Sequence, residues 1–244
     1  VTALQPATIS AVVLDAFDNF VNTAFPSLTP AQIAAITPAQ MAVLDVGQAG
    51  SIGVDQAAAF SSKQMAKLPV ASVVALTSDA ISAISKAAIP GLNLDVNASD
   101  VDFTSTQAAF LTATQAPAFT SKQIAALNDD SDTAGLTADF VAALTPTAFK
   151  GFTVRSDYAT TNTATSDGIA SLTTDAVAVI STAQLAALTT TQIESFSQKQ
   201  VANFSSDALT WLAGKGYTAI TSSAGTTSGI ETSVNVAGTD AAST

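Results

Sequence analysis

The sequence predicts an all-α fold: a solenoid-like array of very short capped helices with an eight-residue repeat, irregular insertions and a Ser/Thr/Gly-rich C-terminal tail. Three observations predict it. Large apolar residues recur at every eighth position over most of the 244 residues. A Thr or Ser follows many of them, with a Gln three places further on, which is the spacing of a helix capping box. Prolines recur at one place in the octad, and that place is incompatible with one continuous helix.

The apolar register is explicit. Steps of eight meet Leu4, Val12, Phe20, Leu28, Ile36, Leu44, Ile52, Phe60, Leu68, Leu76, Ile84 and Leu92. The register resumes as Phe103, Leu111, Phe119 and Leu127, then as Leu136, Leu144 and Phe152. A last block holds Leu172, Ile180, Leu188, Phe196, Phe204, Leu212 and Ile220. The idealised unit is Leu-Thr-x-x-Gln-Ile-Ala-Ala. In it the hydroxyl accepts from the third helical N–H while the Gln side chain reaches back to the cap. Pro6, Pro30, Pro38 and Pro146 fall two places after an anchor, at the first helical position, where a missing N–H is harmless. Inside a continuous helix each would cost about 3 kcal/mol. Each octad therefore starts a new helix, about five to seven residues long.

Isolated helices shorter than about 12 residues are marginal, so neighbours must hold these. A second apolar residue five places after the anchor, such as Ile33, Met41, Met65, Val73 or Ile81, lies three before the next anchor and shares its face. The slot three after the anchor is polar: Asp55, Asp79, Asp139, Asp175 and Asp207, with Lys63, Lys122, Lys199 and Lys215. It is expected to face water. Pro26, Pro90 and Pro117 come six after an anchor and are expected to shorten their helices. Such a period marks a repeat architecture; a globular bundle of short helices is the alternative.

This register assigns residues 1–220 to an octad-repeat helical domain with insertions at 93–102, 128–135 and 153–171. Residues 221–244 read as a linker or as an arm ordered by a partner. Alternation at Ile230, Thr232, Val234 and Val236 gives that tail a weak strand signal.

Composition restricts function. The chain carries 19 acids against 8 bases, a net charge of −11. That balance repels phosphate backbones and anionic membranes, so no nucleic-acid partner is expected. With no Cys and no His it lacks thiol chemistry and the commonest general base and transition-metal ligand. No apolar run reaches the roughly 18 residues of a membrane span, so a soluble chain without a transmembrane segment is expected. The abundant Ser is accounted for by capping, and "GKGY" at 214–217 is too short for a phosphate loop. No enzyme is expected.

The insertions hold what site chemistry there is. "NLDVNASDVDF" places Asp95, Asn97, Asp100 and Asp102 close together, and "NDDSDTAG" spaces Asn128, Asp130 and Asp132 at alternate positions. Alternating oxygen donors resemble the start of a calcium loop, which makes calcium the one cofactor the sequence raises. The competing reading is a solvated turn, where Asp and Asn are favoured anyway. The insertion at 153–171 carries the chain's Arg155 beside Asp157 and Tyr158, and a long loop in a compact chain is often functional.

The stretches "LTPAQIAAI", "FTSKQIAAL", "ISTAQLAAL" and "LTTTQIESF" resemble short repeats of large secreted bacterial surface proteins described as adhesins or S-layer-like. The likeness covers most of residues 4–220 and implies an extracellular or cell-surface structural role with no catalytic residues. "LTPAQ" is also similar to the helix start of DNA-reading TAL effector repeats, but those are much longer and basic, and the chain departs on both counts. The expected function is a structural subunit of a bacterial surface assembly (S-layer, filament or adhesin stalk) whose partners are copies of itself. The alternative is a monomeric solenoid scaffold that binds a cell-surface glycan or protein.

Overall fold

A computed structural model of the chain describes residues 5–13, 25–94, 105–127, 135–152, 169, 172–219 and 230–232. Over these residues the protein is helical, built from many short helices plus one pair of three-residue strands. Most helices run four to six residues, slightly shorter than the sequence predicts.

The caps explain where each helix starts. Thr37 N–H donates to Gln40 Oε1 at 2.8 Å, and Gln40 N–H donates to Thr37 Oγ1 at 3.2 Å. The same reciprocal box opens the helices beginning after Thr29, Ser61, Thr120, Ser181, Thr189 and Ser197. Asp45 replaces the hydroxyl with a carboxylate, which accepts from Gln48 N–H at 2.8 Å. Pro6, Pro30, Pro38 and Pro146 all sit in the first turn. Thr37→Ala removes one cap acceptor and is expected to cost about 1 kcal/mol in urea unfolding. An unchanged midpoint would show that the cap is dispensable.

The prolines six places after an anchor have the expected effect. Pro26, Pro90 and Pro117 each lie in a 3-10 turn: Phe25–Ser27, Ile89–Gly91 and Ala116–Ala118. Without an N–H they cannot close the i→i−4 bond, so the tighter turn replaces the α-helix. The longest helix among the described residues, Ser206–Gly214, runs nine residues and passes through the anchor Leu212. The residue after that anchor is Ala213, whose methyl group offers no cap acceptor, and the helix ends at Gly214. Gly216, at φ 85°, then turns the chain into the left-handed region that favours glycine.

The register predicts burial well. Among the described residues, every anchor from Leu28 to Leu212 is buried, Leu44 at 2% exposure among them. The partner positions Ile33, Met41, Met65, Val73, Ile81, Ile124, Val177 and Val201 are fully buried too. The slot three after the anchor is exposed at Asp55, Lys63, Asp79, Lys122, Asp139, Asp175, Lys199 and Asp207.

Packing follows a fixed separation. Pro6–Ser10 packs on Pro30–Ala35, Pro38–Met41 on Ser62–Met65, Val46–Gly50 on Val70–Val74, and Val54–Ala58 on Ser78–Ala83. In each pair the second helix starts 24 residues, three octads, after the first. Ser121–Ala126 packs on Pro146–Phe149 and Ala138–Ala143 on Thr174–Ala178, although extra chain intervenes. The insertions thus lengthen the connection without changing which octads meet. Two junctions of this kind, Ser62–Met65 on Ile89–Gly91 and Ser121–Ala126 on Pro146–Phe149, are backbone-tight. A Cβ on Gly91 would lie 1.8 Å from the Ser62 carbonyl oxygen, and one on Gly151 would lie 2.1 Å from that of Ser121.

At the C-terminal end, strand β1 (Tyr217–Ala219) pairs antiparallel with β2 (Ile230–Thr232), Tyr217 opposite Thr232 and Ala219 opposite Ile230. Ile230 is fully buried and β2 packs on the helix Thr190–Glu194. The strand signal read at Ile230 and Thr232 therefore corresponds to a strand, while Val234 and Val236 lie outside the described residues.

Candidate functional site

The most regular polar feature of the structure is buried. Gln32, Gln40, Gln48, Gln56, Gln64, Gln115, Gln123, Gln184, Gln192 and Gln200 are all 8% exposed or less. A buried amide must find partners for two donors and an acceptor, or its desolvation is uncompensated. The capping box uses only the acceptor, Oε1.

The donors bridge to an earlier helix. Gln64 Nε2 donates to the carbonyls of Ile33 at 2.7 Å and Ile36 at 2.8 Å. Gln40 does so to Ile9 and Val12, and Gln56 to Phe25 and Leu28, all at 2.8–2.9 Å. The accepting carbonyls lie in the last turn of their helix, at its C-cap or, for Val12, one residue beyond it, where intrahelical donors run out. One side chain thus caps the start of its own helix and satisfies the end of another. The arrangement survives the insertions: Gln115 reaches Ile81 and Ile84, Gln184 reaches Val141 and Leu144, and Gln192 reaches Phe152.

Substitutions at this slot are physically consistent. Pro69 has no N–H to offer an amide oxygen, and there the slot holds Ser72, whose hydroxyl donates to Leu44 O at 2.7 Å. At Phe140 an aromatic ring fills the slot and packs edge-on against Phe119, with centroids 5.2 Å apart.

The sequence reading assigned Gln to capping and missed its second role. A signal was present in the recurrence of Gln itself: a Thr or Ser cap needs no Gln three places on, yet the slot holds Gln32, Gln40, Gln48, Gln56 and Gln64 in succession.

The calcium candidates Asp95, Asn97, Asp100, Asp102, Asn128, Asp130 and Asp132 all lie outside the described residues. So do Arg155, Asp157 and Tyr158. Among the described residues, no three His, Cys, Asp or Glu side chains come together as a metal site, and no helix is long and apolar enough to cross a membrane. A surface cleft of about 300 Å³ lies between Ala66, the segment Pro90 to Leu94 and the helix Ser121–Ala126, with Lys122 in its wall. Its polar side chains are those of Asn93, Thr120, Lys122 and Gln123, and the rest of its lining is small or apolar.

No family model, no curated protein and no solved structure matches this chain.

Proposed function

We propose that the chain is a solenoid with three octads per turn, and that it serves as a non-enzymatic structural subunit of an extracellular surface assembly. The observation that carries this reading is the packing of helices that start 24 residues apart, fastened by buried Gln side chains such as Gln40, Gln56 and Gln64, which reach carbonyls 28 and 31 residues back, where the helix four octads earlier ends. A fold that spends its buried polar groups on joining successive turns is built for stiffness along its axis. The exposed slots, by contrast, hold isolated Asp and Lys side chains with no chemistry in common.

Packed helices stand about 8–10 Å apart, so each turn advances the coil by about that distance. A coil from Pro6 to Gly214 is then a rod roughly 60–80 Å long. Small-angle X-ray scattering is expected to give the skewed pair-distance distribution of a rod. A symmetric, globular distribution would sink the coil. For the location, antibody labelling of intact producing cells is expected to find the chain at the surface; labelling only after permeabilisation would refute the extracellular role.

The alternative, a monomeric scaffold for a glycan or protein ligand, draws on the cleft beside Lys122. Surface labelling together with a strictly monomeric chain would favour it.

A further inference from the structure

One flank of this coil carries its charges in an order that is complementary to itself when reversed. The flank is traced by contacts. Pro38–Met41 packs on Ser62–Met65, which packs on Ile89–Gly91. Gln115 Nε2 donates to Ile84 O at 2.8 Å, the C-cap of Ser78–Ala83 that opens the octad of Ile89–Gly91. Gln64 donates in the same way to Ile36 O ahead of Pro38–Met41, the helix on which Ser62–Met65 packs; the octad of Gln115 is thereby placed over that of Ile89–Gly91. Ala116–Ala118 packs on Ala138–Ala143, that helix on Thr174–Ala178, and that one on Gln198–Val201. These octads form a single column along the axis.

Along the column the ionisable residues are Lys63 and Lys67, then Lys86, then none in the octad "LTATQAPA" at 111–118, then Asp139, then Asp175, with Lys199 beyond. All six are exposed, and no ion pair engages any of them among the described residues. The order about the uncharged octad is plus, plus, neutral, minus, minus. The central octad is made of small residues around Pro117, which permits close approach.

We propose that this flank is an interface between two copies of the chain, arranged antiparallel about residues 111–118. In that arrangement Lys63 and Lys67 of one copy face Asp175 of the other, and Lys86 faces Asp139. The two-fold axis repeats each contact, as an isologous interface requires. A polyanion laid along the column meets repulsion at Asp139 and Asp175, and a polycation meets it at the lysines. A second copy in reverse matches both halves. Steps of about 8–10 Å along the column place the two halves further apart than the roughly 8–10 Å Debye length at physiological salt. They therefore act on a neighbour rather than on each other. Exposed ion pairs are individually weak, so the dimer is salt-sensitive.

The inference rests on the coil reading and not on the extracellular one. The test uses the full chain and two variants: Lys63→Glu with Lys67→Glu and Lys86→Glu, and Asp139→Lys with Asp175→Lys. All five side chains are exposed, and circular dichroism checks that helicity is kept. Sedimentation at low salt is expected to show a wild-type dimer that dissociates as salt rises. Each variant alone should dimerise roughly tenfold or more weakly, and a one-to-one mixture of the two should restore the dimer. The second variant is decisive: each Asp→Lys change adds two charges, so two of them take the net charge from −11 to −7. General repulsion falls, yet the dimer is expected to be lost. A wild-type monomer at millimolar concentration, a variant that dimerises like wild type, or a mixture that stays monomeric overturns the interface. Scattering from the same samples tests the coil separately. Larger assemblies indifferent to these changes would overturn the interface and leave the structural role standing.

Discussion

Gly91→Ala is expected to destabilise the protein by about 3 kcal/mol or more, the upper end of overpacking costs. The added Cβ would sit 1.8 Å from the Ser62 carbonyl oxygen and 2.6 Å from its carbon. Both are backbone atoms, so no side chain can swing aside. Ser62 opens the helix that carries Gln64, whose amide holds the carbonyls of Ile33 and Ile36. Relief at Gly91 therefore has to displace a helix already fixed on its other side. Gly151→Ala, with its Cβ 2.1 Å from Ser121 O and 2.9 Å from Ile124 Cβ, is expected to behave alike. Gly214 supplies the control. It ends a helix with nothing within 4 Å of its added Cβ, so Gly214→Ala should gain about 0.5–1 kcal/mol from helix propensity alone. Urea midpoints of the three variants make the comparison. If Gly91→Ala unfolds at the wild-type midpoint, the close approach at that junction is wrong.

The sequence reading went far on local structure because local structure is what an octad encodes. Thr37, Pro38 and Gln40 fix the start of a helix through bonds that span only three residues. The positions of Leu44 and Met41 settle which face is buried, and Pro90 explains a 3-10 turn without reference to any neighbour. Which helices pack on one another is a different kind of quantity. It depends on contacts that bury Ile33, Ile36 and their equivalents against helices 24 residues away, and no spacing within one octad contains it. That is why Gln64 was legible as a cap and not as a bridge to Ile33, 31 residues away. Gly91 and Gly151 were unremarked for the same reason: the atom each one must avoid belongs to another octad. The charge order proposed to run from Lys63 to Asp175 is likewise invisible in any one octad.

Replacing Gln64 tests that bridge most directly. Gln64 is 2% exposed and makes contacts at both ends of its amide. Its Oε1 accepts from Ser61 N–H at 2.8 Å and Ser61 Oγ at 2.9 Å, and its Nε2 donates to Ile33 O and Ile36 O. Gln64→Ala removes these partners together. Each buried group left unsatisfied costs about 1–3 kcal/mol, and such losses are not additive, so a total of about 2–5 kcal/mol is expected. Ser72 shows how little of the bridge a shorter side chain keeps, since its hydroxyl makes one bond, to Leu44 O. Gln64→Glu separates the two ends of the amide. A carboxylate still accepts from Ser61, but it turns an acceptor and a buried charge toward two carbonyls. Burial raises the folded-state pKa of that carboxyl above its unfolded value. Below the unfolded pKa, near 4.3, the protonated acid can donate one hydrogen bond and the variant lies closest to wild type. As pH rises through the folded-state value that stability is lost. Wild type and variant should therefore diverge with increasing pH in parallel urea titrations. A Gln64→Ala midpoint equal to wild type, or a constant gap between Gln64→Glu and wild type across pH, would show that the amide joins nothing. The buried Gln side chains would then be caps alone, and the case for a stiff coil would fall with them.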